Sequence, residues 1–363
     1  MEDQTQEARS PSSLFGDVLA LEGTNSLNFL ETAFACYASG RVFAIARPDT
    51  SLTGLIRQVT PQPAPEALRR GWGQMEYSAR RDASPAQIVF TSGTEGLPKA
   101  IVLSHASLAD TVERLNDIMQ VTADIREYIG VPVTYSFGLG RARAVAAAGG
   151  RFFLPERFDP IEIRAMLQAG EINAISAVPS LWQMLLAAPD SIGEAGQAVR
   201  WIEIGSQYMS GPDKAALARM FPNARIVQHY GLTEASRSTF LDVTAAPEAM
   251  LDSVGQPVGA TELHLNEGGA ICIRGPHVAM GQLGPDETLI PITDADGWLV
   301  TQDRGHMQDG YLYYDGRLDN QINVGGVKLS AEGLEAEIEA LLPAAKGHIA
   351  ATAVPDARRG QGV

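Results

Sequence analysis

The segment Thr91-Ser92-Gly93-Thr94-Glu95-Gly96-Leu97-Pro98-Lys99 carries the residue types that hold a phosphate. Glycines let the backbone close around an anion, hydroxyls donate to its oxygens, and a lysine supplies charge. It differs from the kinase-like phosphate loop. Pro98 precedes the lysine, and Ala100 stands where a magnesium-holding Ser or Thr would follow. A second group, Tyr230-Gly231-Leu232-Thr233-Glu234, closes an apolar run about 130 residues later. A third is split between Thr301-Gln302-Asp303-Arg304-Gly305 and Asp315-Gly316-Arg317-Leu318-Asp319. A buried aspartate can accept from both hydroxyls of a ribose, and a nearby arginine can donate to ribose or phosphate. Each group alone also reads as a polar turn, since Gly-rich stretches and Asp-Gly pairs are common turn formers.

The surrounding pattern says what must position them. Leu27 to Gly40 reads as a helix with Leu27, Leu30, Phe34 and Tyr37 on one face and Gly40 as its stop. Val42–Ala46 reads as a buried strand. Gln87–Thr91 is a strand leading into the first loop, Ala100–Leu103 a strand leaving it, and His105 to Met119 a helix. Ile129–Val133, Gly150–Leu154, Ala174–Val178, Trp201–Gly205 and Arg225–His229 read as strands, with helices over 160–169, 179–188 and 211–221 between them. This alternation predicts a parallel sheet covered by helices. Beyond about residue 255 short strands broken by Gly and Pro take over, among them Ala270–Arg274, Trp298–Thr301 and Tyr311–Tyr314, and Ser330–Leu342 reads as a last helix.

With these motifs in this order, the chain resembles the adenylate-forming superfamily of acyl-CoA synthetases, aryl-CoA ligases, peptide-synthetase adenylation domains and luciferases. Ile88–His105 is similar to its signature, with Glu95 where a second Thr is usual and Ala100 where a Gly is usual. The Thr301–Gly305 group departs at Gln302, a glycine in the usual pattern. The resemblance implies that Thr91, Ser92, Gly93, Thr94, Gly96 and Lys99 cradle the phosphates of ATP. It implies that Tyr230 stacks on adenine, Thr233 donates to the α-phosphate, and Glu234 holds Mg²⁺, an ion that takes oxygen ligands and few carboxylates. Gly205, Asp303 and Arg317 complete the nucleotide site. Asp319 corresponds to a hinge. The expected fold is α/β: residues 1–318 form a large N-terminal domain of helix-covered, largely parallel sheets with a small β-rich subdomain. Residues 319–363 begin a small α+β lid. The family's catalytic lysine lies past Val363, and neither Lys328 nor Lys346 stands in its motif.

The implied reaction is ATP-dependent activation of a carboxylic acid to acyl-AMP, then transfer to CoA or to the phosphopantetheine of an acyl carrier protein. The alternative is a nucleotide-binding relative without full ligase activity. By resemblance the acid pocket lies between Pro132–Gly140 and Gly205–Met209, with Tyr135, Phe137, Tyr208 and Met209 as its walls. Residues 131–140 contain no acidic side chain. A substrate α-ammonium would be buried there without a partner, so an aryl or acyl acid is expected instead of an α-amino acid. The formal net charge of −15 argues against nucleic acid or an anionic membrane as partner. Two distant cysteines, no signal-like N-terminus and no long apolar run fit a cytoplasmic location.

Overall fold

The computed structural model describes residues 15, 18–46, 70–78, 80–91, 99–284, 288–318, 321–324, 327–345, 347–356 and 360–363. Two sheets meet around the main core. The first has six strands in the order β1 (Leu19–Glu22), β2 (Phe43–Ala46), β4 (Pro85–Thr91), β5 (Lys99–Ser104), β15 (Gly281–Leu283) and β16 (Leu289–Ile290). The second runs β12 (Gln256–Pro257), β11 (Ala235–Asp242), β10 (Arg225–Leu232), β9 (Trp201–Ile204), β8 (Ala174–Ala177), β6 (Arg126–Ile129), β7 (Arg151–Leu154) and β3 (Gly71–Gly73). Its central strands, from β10 to β7, are parallel. Its edges are antiparallel. Two four-stranded sheets follow: β13 (Glu262–Leu265), β14 (Ala270–Arg274), β17 (Leu299–Gln308) and β18 (Tyr311–Arg317), then β20 (Val327–Ser330), β19 (Gln321–Val324), β22 (Gly360–Gly362) and β21 (Val354–Asp356). The expected α/β architecture with a β-rich subdomain is present.

Local sequence explains the helices. α1 (Leu27–Ser39) starts where the Ser26 side chain accepts from the Phe29 amide at 3.2 Å and stops at Gly40, whose φ is 73°. α2 (His105–Met119) opens on a reciprocal cap in which Ser104 and Ser107 satisfy each other's backbone amides. α3 (Ser136–Ala147) was not expected: its Gly, Ala and Arg residues form no apolar stripe, and most of them are buried on every side. The strand expected at Ile129–Val133 lies at Arg126–Ile129 instead. Its Glu127 is buried, with its charge compensated by Arg141 of α3. α4 (Pro160–Gln168), α5 (Pro179–Ala187) and α6 (Gly211–Met220) cover one face of the second sheet, where Trp182, Phe221 and Ile202 are fully buried. α1, α2 and α3 pack with the core shared by the two sheets. α7 (Ala331–Leu341) follows β20. Among the described residues no helix is long and apolar enough to cross a membrane.

Candidate functional site

The carboxyl ends of β9 and β10 open onto a cavity of about 160 Å³, the place where open parallel sheets generally receive ligands. Ser206, Gln207 and Tyr208 line one side, and Gln228 to Gly231 another. Gly205 is required at the exit of β9. A Cβ there would lie 2.0 Å from Cε1 of His229. Ser206 then takes a φ of 73°, a left-handed conformation costly for a non-glycine residue and common at ligand sites.

Tyr230, Asp303 and Arg317, expected together from separate motifs, are together. The Tyr230 hydroxyl donates to Asp303 Oδ2 at 2.7 Å, and Arg317 Nη1 lies 3.7 Å from Asp303 Oδ1. Arg317 faces Asp303 across the β17–β18 ladder. Burial, reinforced by the Asp303 carboxylate, pushes the Tyr230 phenol well above its ordinary range, so it remains a donor. The Tyr230 and Tyr314 rings are tilted against each other at 6.1 Å, and both line the cavity.

Thr233 and Glu234 form the two-residue turn between β10 and β11, where Leu232 pairs with Ala235. Both are half-buried. The turn is pinned by the Ala279 amide donating to the Glu234 carbonyl at 2.8 Å. Thr91 and Lys99 face each other at the open end of the β4–β5 hairpin. Ser92, Gly93, Thr94 and Gly96 lie outside the described residues, as does Asp319. Among the described residues no three His, Cys, Asp or Glu side chains converge to cage a metal. A lone carboxylate such as Glu234 does fit Mg²⁺, which usually keeps waters and phosphate oxygens as its other ligands.

Of the four residues expected to wall an apolar acid pocket, only Tyr208 lines this cavity; its hydroxyl donates to Asp252 at 3.0 Å. Tyr135 is exposed at the N-terminal cap of α3. Phe137 is buried with its ring edge-on to His229 at 5.1 Å, and Met209 is fully buried in the core under α6. The two apolar side chains are used for packing. Behind them runs a buried ionic network. Glu203 Oε1 lies 2.7 Å from Arg237 Nε and 2.6 Å from His229 Nδ1, and its Oε2 is 3.1 Å from Arg141 Nη1. Burial alone would raise the Glu203 pKa, but Arg237, His229 and Arg141 outweigh it and hold the carboxyl far below its usual range. Burial keeps the His229 pKa below its ordinary value, against the opposing pull of Glu203.

Lys214 of α6 supports the cavity from outside. It is fully buried, and Nζ donates to the carbonyls of Leu251 at 2.5 Å and Ser253 at 2.9 Å, beside the cavity residue Val254. Burial pushes its pKa down to about 7, against the opposing pull of Asp252. In the unfolded chain this lysine keeps its proton to about 10.4. The unfolded state therefore binds more protons between those values, and raising the pH through that window favours the folded state. Thermal melts should show the wild type gaining on Lys214→Met between pH 7 and about 9.5. A difference that stays flat with pH would mean that Lys214 keeps its charge inside.

Sequence reading missed Gln228 and His229, although they directly precede Tyr230. Gln228 is buried, lines the cavity and has an Oε1 with no partner among the described residues. It offers an acceptor to an amino group on a bound base. The available signal was position, at the end of the strand that carries Tyr230.

The chain is 26% identical over 387 residues to a feruloyl-CoA synthase from Amycolatopsis sp, an alignment covering 95% of this chain and 77% of the relative. It is 28% identical over 290 residues to 4-coumarate--CoA ligase 3 from Oryza sativa subsp. japonica, covering 74% of this chain and 52% of the relative. Its fold is similar to that of the o-succinylbenzoate CoA synthetase from Bacillus subtilis in complex with an acyl-adenylate intermediate. The TM-score there is 0.78 at 20% identity, with 96% of this chain and 78% of that one covered. Residues 58–283, more than half of the chain, match the family model described as AMP-binding enzyme, and the chain belongs to that family.

Proposed function

We propose that this enzyme activates an aryl or acyl carboxylic acid with ATP, forming acyl-AMP and releasing pyrophosphate, and passes the acyl group to a thiol of CoA. The observation that carries the reading is the convergence of Tyr230 and Asp303, from distant motifs, on one cavity at the ends of β9 and β10, with Arg317 beside Asp303. Adenine sits against the Tyr230 ring with its amino group toward Gln228 Oε1. Asp303 accepts from the ribose hydroxyls, and Arg317 holds the carboxylate in place. Thr91 and Lys99 close on the phosphates, and Thr233 donates where charge develops on the α-phosphate. Glu234 would hold Mg²⁺, which would supply further neutralisation of the phosphate charge. Most of the rate comes from positioning and fixed charge. The absence of an acidic side chain from residues 131–140 supports an acid without an α-amino group. Residues 319–363 are read as the start of a lid that moves about Asp319.

ATP–pyrophosphate exchange across a panel of carboxylic acids tests this reading. Exchange driven by no acid, or best by a proteinogenic amino acid, would overturn it. For the nucleotide site itself, Asp303→Ala should weaken ATP or AMP binding about 10- to 100-fold in calorimetry, the usual scale for losing hydrogen bonds to a charged acceptor. Equal affinity in both proteins would remove Asp303 from the site.

A further inference from the structure

Among the described residues four arginines are buried: Arg114, Arg141, Arg143 and Arg237. Three have carboxylate partners. Arg114 pairs with Asp110 at 2.7 Å, Arg141 with Glu127 and Glu203, and Arg237 with Glu203. Arg143 has none among the described residues. It is 4% exposed. Its Nη1 donates to the neutral Tyr37 hydroxyl at 2.7 Å and to Gln87 Oε1 at 3.3 Å, its guanidinium lies 5.5 Å from the centre of the Tyr37 ring, and its Nε has no partner among the described residues. A guanidinium taken out of water without a counter-ion is unfavourable, and such groups are ordinarily paired.

The same side chain lines an enclosed cavity whose interior of about 10 Å³ has room for roughly one water-sized group. Ser136, Thr233 and Ser236, all half-buried and all bearing hydroxyls, line it as well. His277 is also on the wall, but burial holds its pKa down to about 3, so it is neutral. Arg143 is thus the one charge among the described residues lining this space. Thr233 belongs to the reaction centre proposed above. A cavity lined by both Thr233 and an unpaired cation sets a second anion site beside the reacting carboxylate.

We propose that the acid activated here is a short dicarboxylic acid, and that Arg143 is the specificity residue that takes its second carboxylate. One carboxylate reacts beside Thr233. The other puts one oxygen into the cavity, where it accepts from Arg143 Nε and supplies the counter-ion that the fold leaves out. A ring or a phosphate is too large for the enclosed space, whereas one carboxylate oxygen fills it. The inference rests on the reading of this chain as an acid-activating enzyme.

The test is ATP–pyrophosphate exchange by the full chain with malonate, succinate and glutarate against acetate, propionate, butyrate and benzoate. One dicarboxylate should exceed its monocarboxylate homologue in kcat/KM by about 30-fold or more, the scale of one buried charge pair. In Arg143→Met that ratio should fall toward one through KM for the dicarboxylate. Arg143→Lys, which keeps the charge and loses the fork, should recover part of it. Calorimetric ATP binding by each variant shows whether its fold is intact, and the wild-type ratio decides if a variant fails to fold. Exchange with monocarboxylates alone, or a ratio unmoved by both variants, overturns the inference and leaves acid activation standing. Exchange with none of these acids overturns the inference along with that reading for every acid in the panel.

Discussion

Glu203→Gln should destabilise the protein by about 3–5 kcal/mol, because it leaves buried cations without their carboxylate. Arg237 loses its ion partner, Arg141 keeps only Glu127, and His229 loses the group beside its Nδ1. Glutamine has nearly the same shape, so the loss measures charge, not a cavity. Against a typical total stability of about 5–15 kcal/mol, it would be visible as a lower denaturant midpoint and poorer soluble yield. The pH dependence has a definite sign. The Glu203 pKa is depressed in the folded state, so its contribution is complete above the unfolded carboxyl range and fades as the pH falls toward the folded value. The gap between wild type and variant should therefore narrow under acid conditions. A loss below about 1 kcal/mol would show that the network is replaceable and that Phe137 and Gly205 position the cavity wall without it.

Thr233→Val should lower the rate of pyrophosphate exchange by about 10²–10³ while leaving the KM for ATP close to its wild-type value. Valine keeps the β-branched shape in the two-residue turn and deletes only the hydroxyl. A donor that meets charge chiefly in the transition state affects kcat, whereas one that holds ground-state ATP affects KM. Steady-state exchange over a range of ATP separates the two. A raised KM with an unchanged rate would place Thr233 among the binding groups and leave the developing charge to Lys99 or to a residue outside the described ones.

Much of the fold was legible because short-range patterns dictated it. Ser104 and Ser107 mark the start of α2, Gly40 the end of α1, and the alternation from Ala174 to Phe221 shows the parallel sheet. The nucleotide side of the site was legible by residue type, since Tyr230, Asp303 and Arg317 lie in compact motifs. What stayed hidden depends on partners far apart in sequence. Arg141, Arg143, Glu203 and Arg237 look like solvated charges until the chain brings each beside its partner, Glu203 and Arg237 being 34 positions apart and Arg143 and Tyr37 106 apart. The same compensation hid α3 and displaced the strand at Arg126–Ile129. Phe137 and Met209 illustrate the opposite error, because an apolar side chain near a site serves the core as readily as the ligand.

The first sheet has a consequence for how the protein is made. β5 pairs with β4 on one side at once, through a local hairpin. Its other edge is covered by β15, with Val102 opposite Gly281. During synthesis at about 5–20 residues per second, roughly 180 residues and some 10–40 s separate the emergence of those two partners from the ribosome. Through that interval the nascent β5 presents an open row of amides and carbonyls above a core that includes Ile101 and Leu103. Faster-pairing strangers, including the same strand on a neighbouring polysome chain, compete for that edge. Slower growth temperature or a holdase that binds extended apolar segments should therefore raise the yield of folded enzyme more than any change in the strands of the second sheet.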